Sequence, residues 1–170
     1  MERIIFLLLA VAVGFSSRAQ APQLASSSQA KPKVKTVFNP EMLALMLDNS
    51  TLPSLRKIYG KAVQVKKIIR NKYEPSVKDT LLTVANKIDK LEIFANQYNQ
   101  FLLSADVTSK KMSFGRAIRI GSSKADFCKA YGLPAAFDAY QITDEGTSSL
   151  YFIFKQGLLA KVTFDAGGVE

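Results

Sequence analysis

Apolar positions recur along this chain in two periods, one helical and one extended, and the switches between them set the predicted elements. In Ile120 to Pro134, IGSSKADFCKAYGLP, the residues Phe127, Ala130 and Tyr131 fall at i, i+3 and i+4 on one helical face. Ser123 is placed to cap that helix with Asp126 three residues on, and Gly132 followed by Pro134 ends it. A second helix begins at Asn39-Pro40, a cap followed by a residue suited to the first turn, and carries Met42, Leu43, Met46 and Leu47 as an apolar stripe. A third follows Thr51 as cap, with Leu52, Leu55, Ile58 and Tyr59 on one face and Gly60 closing it.

Between the helices the pattern is extended. The Val- and Ile-rich run 62–73 and the run 135–143 each read as a strand, and each leads through a polar turn into a hairpin. The first hairpin joins 80–86 to 90–97 around Lys87-Ile88-Asp89; the second joins 149–155 to 158–165 around Gln156-Gly157, a good two-residue turn. A further run, 100–108, alternates Phe101, Leu103, Ala105 and Val107 as a half-buried strand. In the last hairpin the alternation sends Leu150, Phe152, Phe154, Ala160, Val162 and Phe164 into a core, leaving Tyr151, Ile153, Lys161 and Thr163 on the other face.

The segment STLPSLRKIYG (50–60) aligns without gaps on SSKADFCKAYG (122–132). Ser50, Lys57, Tyr59 and Gly60 match Ser122, Lys129, Tyr131 and Gly132, with Leu55 opposite Phe127 in the same apolar role. The order helix, strand, strand, strand thus occurs twice. The predicted fold class is α+β: two degenerate helix-plus-antiparallel-meander repeats, about 50–108 and 117–165, forming one curved sheet with helices on one face.

The chain opens MERIIFLLLAVAVGFSSRAQAP, with Arg3 before an apolar run of about a dozen residues and small residues after it, the pattern of a secretory signal peptide over 1–19. The run falls short of the roughly 20 residues that span a bilayer as a helix, so no stable membrane anchor is expected after cleavage. A disordered leader rich in Gln, Ala, Ser, Pro and Lys is expected over 20–38, then a single α+β domain over 39–170. The expected location is periplasmic or secreted. Loss of Glu2, Arg3 and Arg18 takes the balance from 23 bases and 14 acids to 21 and 13, still clearly basic.

Composition removes several chemistries. There is no histidine and one cysteine, so His-dependent triads, Cys–His dyads and internal disulfides are excluded. Cys128 is expected to serve packing beside Phe127. No metal-binding cluster or Gly-rich phosphate loop is present, so neither metal nor cofactor is expected, and the scattered carboxylates form no close acid–base motif. A non-enzymatic module is the reading that follows.

Two surfaces are candidates for a partner. Arg56, Lys57, Lys61, Lys66, Lys67, Arg70 and Lys72 concentrate positive charge around the first strand, either as a solvated guard on a sheet edge or as a binder of an anionic polymer or envelope surface. Nucleic acid is disfavoured as a partner for an exported chain. The second candidate is the open sheet face with Tyr140, Tyr151, Ile153, Lys161 and Thr163, an aromatic-plus-lysine strip suited to a protein or cell-envelope component. A carboxylate-dependent hydrolase is the enzymatic alternative, and it requires acids that converge in one cleft.

Ile118, Ile120, Gly121, Ser122, Phe127, Tyr131, Gly132, Pro134 and the aromatic hairpin from Leu150 to Phe164 carry a family resemblance. The pattern resembles the tandem-repeat fold of the beta-lactamase inhibitor protein and the related small outer-membrane-assembly lipoproteins. The resemblance implies a curved antiparallel sheet with helices on one face, whose other face or loops bind a protein or envelope component. The chain departs from those lipoproteins in lacking their lipidated cysteine, and neither partner nor binding residues carry over.

Overall fold

The apolar periods resolve into a sheet with helices against one side in a computed structural model describing residues 32–86, 88–145 and 147–167. The expected signal peptide and the leader up to residue 31 lie outside the described residues. In chain order the elements are β1 (Val34–Phe38), α1 (Pro40–Met46), α2 (Leu52–Tyr59), β2 (Val63–Arg70), β3 (Lys78–Ala85), β4 (Lys90–Ala95), β5 (Gln100–Val107), α3 (Lys124–Tyr131), β6 (Ala139–Thr143), β7 (Ser149–Lys155) and β8 (Leu158–Asp165). Among the described residues no helix is long and apolar enough to cross a membrane.

Local chemistry explains the helix ends. The Asn39 side-chain oxygen accepts from the Met42 amide at 2.8 Å to open α1, and the Ser123 hydroxyl accepts from the Asp126 amide at 3.0 Å to open α3. Gly132, with φ 65°, takes the left-handed conformation that ends α3. Thr51 differs from expectation: its hydroxyl bonds Ser54 rather than a backbone amide, so α2 starts without a side-chain cap.

The eight strands form one sheet in the order β1-β6-β7-β8-β5-β4-β3-β2. Two meanders, β2 to β5 and β6 to β8, meet where β5 runs antiparallel to β8, Val107 opposite Val162 and Ala105 opposite Phe164. The fold is α+β, but the sheet is mixed rather than wholly antiparallel, because β1 lies parallel to β6 from Val34 opposite Ala139 to Phe38 opposite Thr143. That corrects the leader expected over 20–38, since its last residues are ordered as an edge strand. The Lys33 carbonyl accepts from the Asp138 amide at 2.9 Å, the Asn39 amide donates to the Thr143 carbonyl at 3.0 Å, and the Lys33 and Lys35 ammoniums sit over the Phe137 ring. Backbone pairing and cation–ring contacts need no apolar alternation, so the segment reads as a tether in the sequence.

The core fills the side of the sheet that faces the helices. Phe127 from α3 is fully buried, its ring centroid 4.8 Å from that of Phe152 and 5.2 Å from those of Tyr131, Tyr140 and Phe154. Leu43, Met46, Leu55 and Tyr59 from α1 and α2 join Leu82, Val84, Leu91 and Ile93 in the same cluster. Two bulges shift the predicted alternation. Leu103 is the extra residue on β5, so Leu102 rather than Leu103 turns inward with Ala105 and Val107; Ala160 is the extra residue on β8, so Leu159 takes the core position expected of Ala160. Cys128 is buried, its sulfur 3.2 Å from the Tyr140 hydroxyl.

The return from β5 to α3 carries an unusual backbone. Gly115, Arg116 and Ala117 all have positive φ, at 56°, 32° and 60°. At Gly115 a Cβ would lie 2.8 Å from the Tyr131 hydroxyl oxygen and 2.9 Å from the Leu45 carbonyl oxygen, so glycine is needed for space as well as for conformation.

Phe127→Ala is expected to lower the free energy of unfolding in a denaturant titration by about 3–5 kcal/mol, the usual cost of emptying a buried aromatic site. Phe101→Ala, at a ring 41% exposed, is expected to cost less than about 1 kcal/mol.

Candidate functional site

Alternation along each strand sends every second side chain away from the helices, and the pairings arrange these into rows across the sheet. One row runs Thr36, Gln141, Tyr151, Thr163, Asp106 and Lys90; the next runs Phe38, Thr143, Ser149, Asp165, Ser104 and Glu92 and reaches Thr83 on β3. Among the described residues no helix covers these rows. Tyr151 and Thr163 lie in the first row and Ile153 and Lys161 face each other in the row beyond it on the same face, each half-buried among its neighbours.

Tyr140 does not belong with them. It is fully buried, stands opposite Phe152 on the core side, and donates its hydroxyl to the Pro134 carbonyl. Burial, with the Cys128 contact next, pushes its phenol well above the ordinary range. The residue of β6 beside Tyr151 on the open face is Gln141, whose amide donates to Ser149 Oγ at 3.1 Å. The irregular approach 135–138 into β6 hid this phase in the sequence.

A hollow sits in the middle of the open face, lined by Thr83, Asn86, Lys90, Glu92, Ser104 and Asp106. It exists because Thr83 and Ser104 are short between longer neighbours. Both acids are engaged within the chain: Lys161 Nζ lies 2.7 Å from Asp106 Oδ2, and Lys66 bonds Glu92. The Asp106–Lys161 pair joins the two meanders, and spacing along the sequence does not reveal it, since the partners lie 55 residues apart. The open face offers matched charges, hydroxyls and amides together with the rings of Tyr151, Phe38 and the stacked Phe94–Phe101 pair, which suits recognition by hydrogen bonds and ring contacts.

The ends of β4 and β5, which carry Glu92 and Asp106, are tied by one buried carboxylate. Asp89 is fully buried and accepts from the Thr108 and Ser109 amides at 2.9 Å each, from the Tyr59 hydroxyl at 2.9 Å and from the Ser109 hydroxyl. Burial alone would raise its pKa, but these donors outweigh it and hold the carboxyl below its ordinary value. Burial, then the Asp89 charge, raises the Tyr59 phenol correspondingly. Tyr59 closes α2 at the position matched by Tyr131 on α3, and Tyr131 likewise donates its hydroxyl to a buried acceptor, the Phe114 carbonyl at 2.6 Å.

The basic run occupies a different place. Arg56 and Lys57 lie in the last turn of α2, Lys61 follows it, Lys66, Lys67 and Arg70 lie on β2, and Lys72 begins the turn to β3; all are exposed. β2 is the outermost strand at its end of the sheet. Among the described residues only Lys66 of these seven has an acid within 4.0 Å. Tyr59 is buried and cannot stack on a ligand, while Tyr73 is 91% exposed beside Lys72.

Because the folded-state pKa of Asp89 is depressed, its contribution to stability is complete above the unfolded carboxylate value of about 4 and is lost as pH falls through the lower folded value. Asp89→Asn, which replaces one of the two accepting oxygens with an amide donor, is expected to lower stability at pH 7 by about 2–4 kcal/mol and to flatten the acid limb of the pH–stability curve, both read by denaturant titration. Compared with models of known protein families, with curated proteins and with solved structures, the chain matches none.

Proposed function

We propose that this chain is an exported, non-enzymatic binding module that recognises a protein or cell-envelope component through its open sheet face. The supporting observation is that the face carrying Tyr151, Ile153, Lys161 and Thr163 has no described helix over it, while the described helices pack on the opposite side. A rigid sheet with one face committed to its core and the other free needs no further rearrangement to receive a partner. Tyr151 contributes a large ring with two rotatable bonds, the Asp106–Lys161 pair contributes fixed charges beside it, and the hollow at Ser104 receives a protruding group. The apolar run and small residues of the first 19 positions support export.

A second reading has its own observation in its favour. Six exposed bases around β2 have no acid within 4.0 Å among the described residues, and such a field attracts anionic partners.

Affinity capture from envelope extract with the mature chain and with Tyr151→Ala distinguishes the two. The open-face reading expects a partner held by the wild-type chain, lost with Tyr151→Ala by at least about tenfold in recovery and little affected by moderate salt. Capture that survives Tyr151→Ala but falls away with salt contradicts it in favour of the basic surface. Glu92→Gln and Asp106→Asn, assayed against glycan and ester substrates, address the hydrolase alternative; activity in the wild-type chain abolished by either change contradicts a purely binding role.

A further inference from the structure

Among the described residues β2 has no partner along its outer edge, and its composition on that edge is specific. Its side chains include Val65, Ile68 and Ile69, which are 56%, 61% and 45% exposed, so aliphatic surface remains on both sides of the strand. Pairing with β3 breaks register at Lys66, whose side chain turns to Glu92, and then continues unbroken from Lys67 opposite Leu81 to Arg70 opposite Lys78. From Lys67 onward the strand therefore offers a straight, free backbone edge. Its side chains alternate Lys67 and Ile69 toward the open face, Ile68 and Arg70 toward the helix face. Arg56 from α2 and Lys78 from β3 border a shallow depression on the helix face with Val65 and Thr80, which extends the positive charge beyond the strand itself.

We infer that the β2 edge is a docking site for an extended acidic polypeptide segment, which adds to the sheet as a ninth strand. The inference rests on the second reading above, that the basic run binds an anionic partner, and names the class of that partner. Three features select it. A free strand edge presents amides and carbonyls that only another extended backbone matches in spacing. The exposed Val65, Ile68 and Ile69 call for aliphatic side chains on the incoming strand, which a polyphosphate or a lipid headgroup layer does not supply. Lys67 and Arg70, on opposite faces with Ile68 and Ile69 between them, call for two carboxylates three residues apart on the incoming strand. The same charges oppose pairing of β2 with a second copy of itself, because Lys66, Lys67 and Arg70 would face their own kind.

The probe is a fluorescein-labelled, capped heptapeptide, Val-Glu-Val-Val-Glu-Val-Val, whose glutamates lie three residues apart, titrated into the full-length mature chain and followed by fluorescence anisotropy. Saturable binding is expected, weakening several-fold as salt rises from about 50 to about 300 mM. The double variant Lys67→Glu with Arg70→Glu is expected to weaken it about tenfold or more. Both positions are exposed, and an unchanged thermal transition of the variant checks that it is folded. The same peptide N-methylated at alternate residues keeps its charge but loses its strand-forming amides, and is expected not to bind. In the complex, amide exchange should slow on β2 and stay unchanged on β1. Absence of saturable binding overturns the inference. Equal binding of the N-methylated peptide, or equal competition by anionic phosphatidylglycerol vesicles, also overturns it, while leaving the broader anionic reading in place.

Discussion

The pairing of β5 with β8 makes this molecule one sheet rather than two. Each meander can form from neighbouring segments, and the pairing of β5 with β8 from Ser104 opposite Asp165 to Val107 opposite Val162 brings them into one plane. The seam lets a single layer of helices cover a single core. It also places Asp106 beside Lys161 and Thr163 on the other side, so the open face is continuous from β1 to β3. A long-range antiparallel pairing of this kind closes a large loop, at an entropic cost that grows slowly with loop length and is offset by burial of the four apolar residues at the seam.

Two buried tyrosines discipline the connections around that seam. Tyr59 reaches Asp89 and so ties α2 to the β3–β4 turn and to the exit from β5; Tyr131 reaches the Phe114 carbonyl and so ties α3 to the strained return at Gly115–Ala117. Each is the last helical residue before a glycine. The two anchors differ in chemistry, since one acceptor is a carboxylate with four donors and the other a backbone carbonyl, and the second meander has three strands with β1 filling its far edge in parallel. Both helices end in tyrosine before glycine, but Gly60 (φ 54°, ψ −126°) and Gly132 (φ 65°, ψ 31°) differ in conformation, and the strands around them follow separate courses.

Much of this was legible in the chain itself. Asn39, Ser123 and Gly132 act as their side chains or lack of them require, and the Gln156-Gly157 turn joins β7 to β8 where the two-residue turn signal places it. What escaped has physical reasons. The bulges at Leu103 and Ala160 change the phase of a strand without changing its composition. β1 is held by backbone bonds and by cations over Phe137, so little apolar signal marks it. Tyr140 was misplaced because five-residue β6 takes its phase from pairing with β7, which a short run of Ala, Tyr, Gln, Ile and Thr does not declare. The hollow between Thr83 and Ser104 depends on three strands in register and could be found only in three dimensions.

Helices on one side leave the opposite face and the β2 edge as the surfaces with unmatched capacity. They differ in character: the face holds hydroxyls, amides and paired charges, whereas the edge holds unpaired backbone and unpaired cations. The most direct measurement is amide hydrogen exchange across the whole mature chain, alone and with the partner retained on affinity capture. Recognition through the open face predicts slowed exchange along β5, β7 and β8, around Tyr151, Thr163 and Asp106, with α1 and α3 unchanged. Protection confined to α1 and α3, with β7 and β8 unaltered, would contradict it.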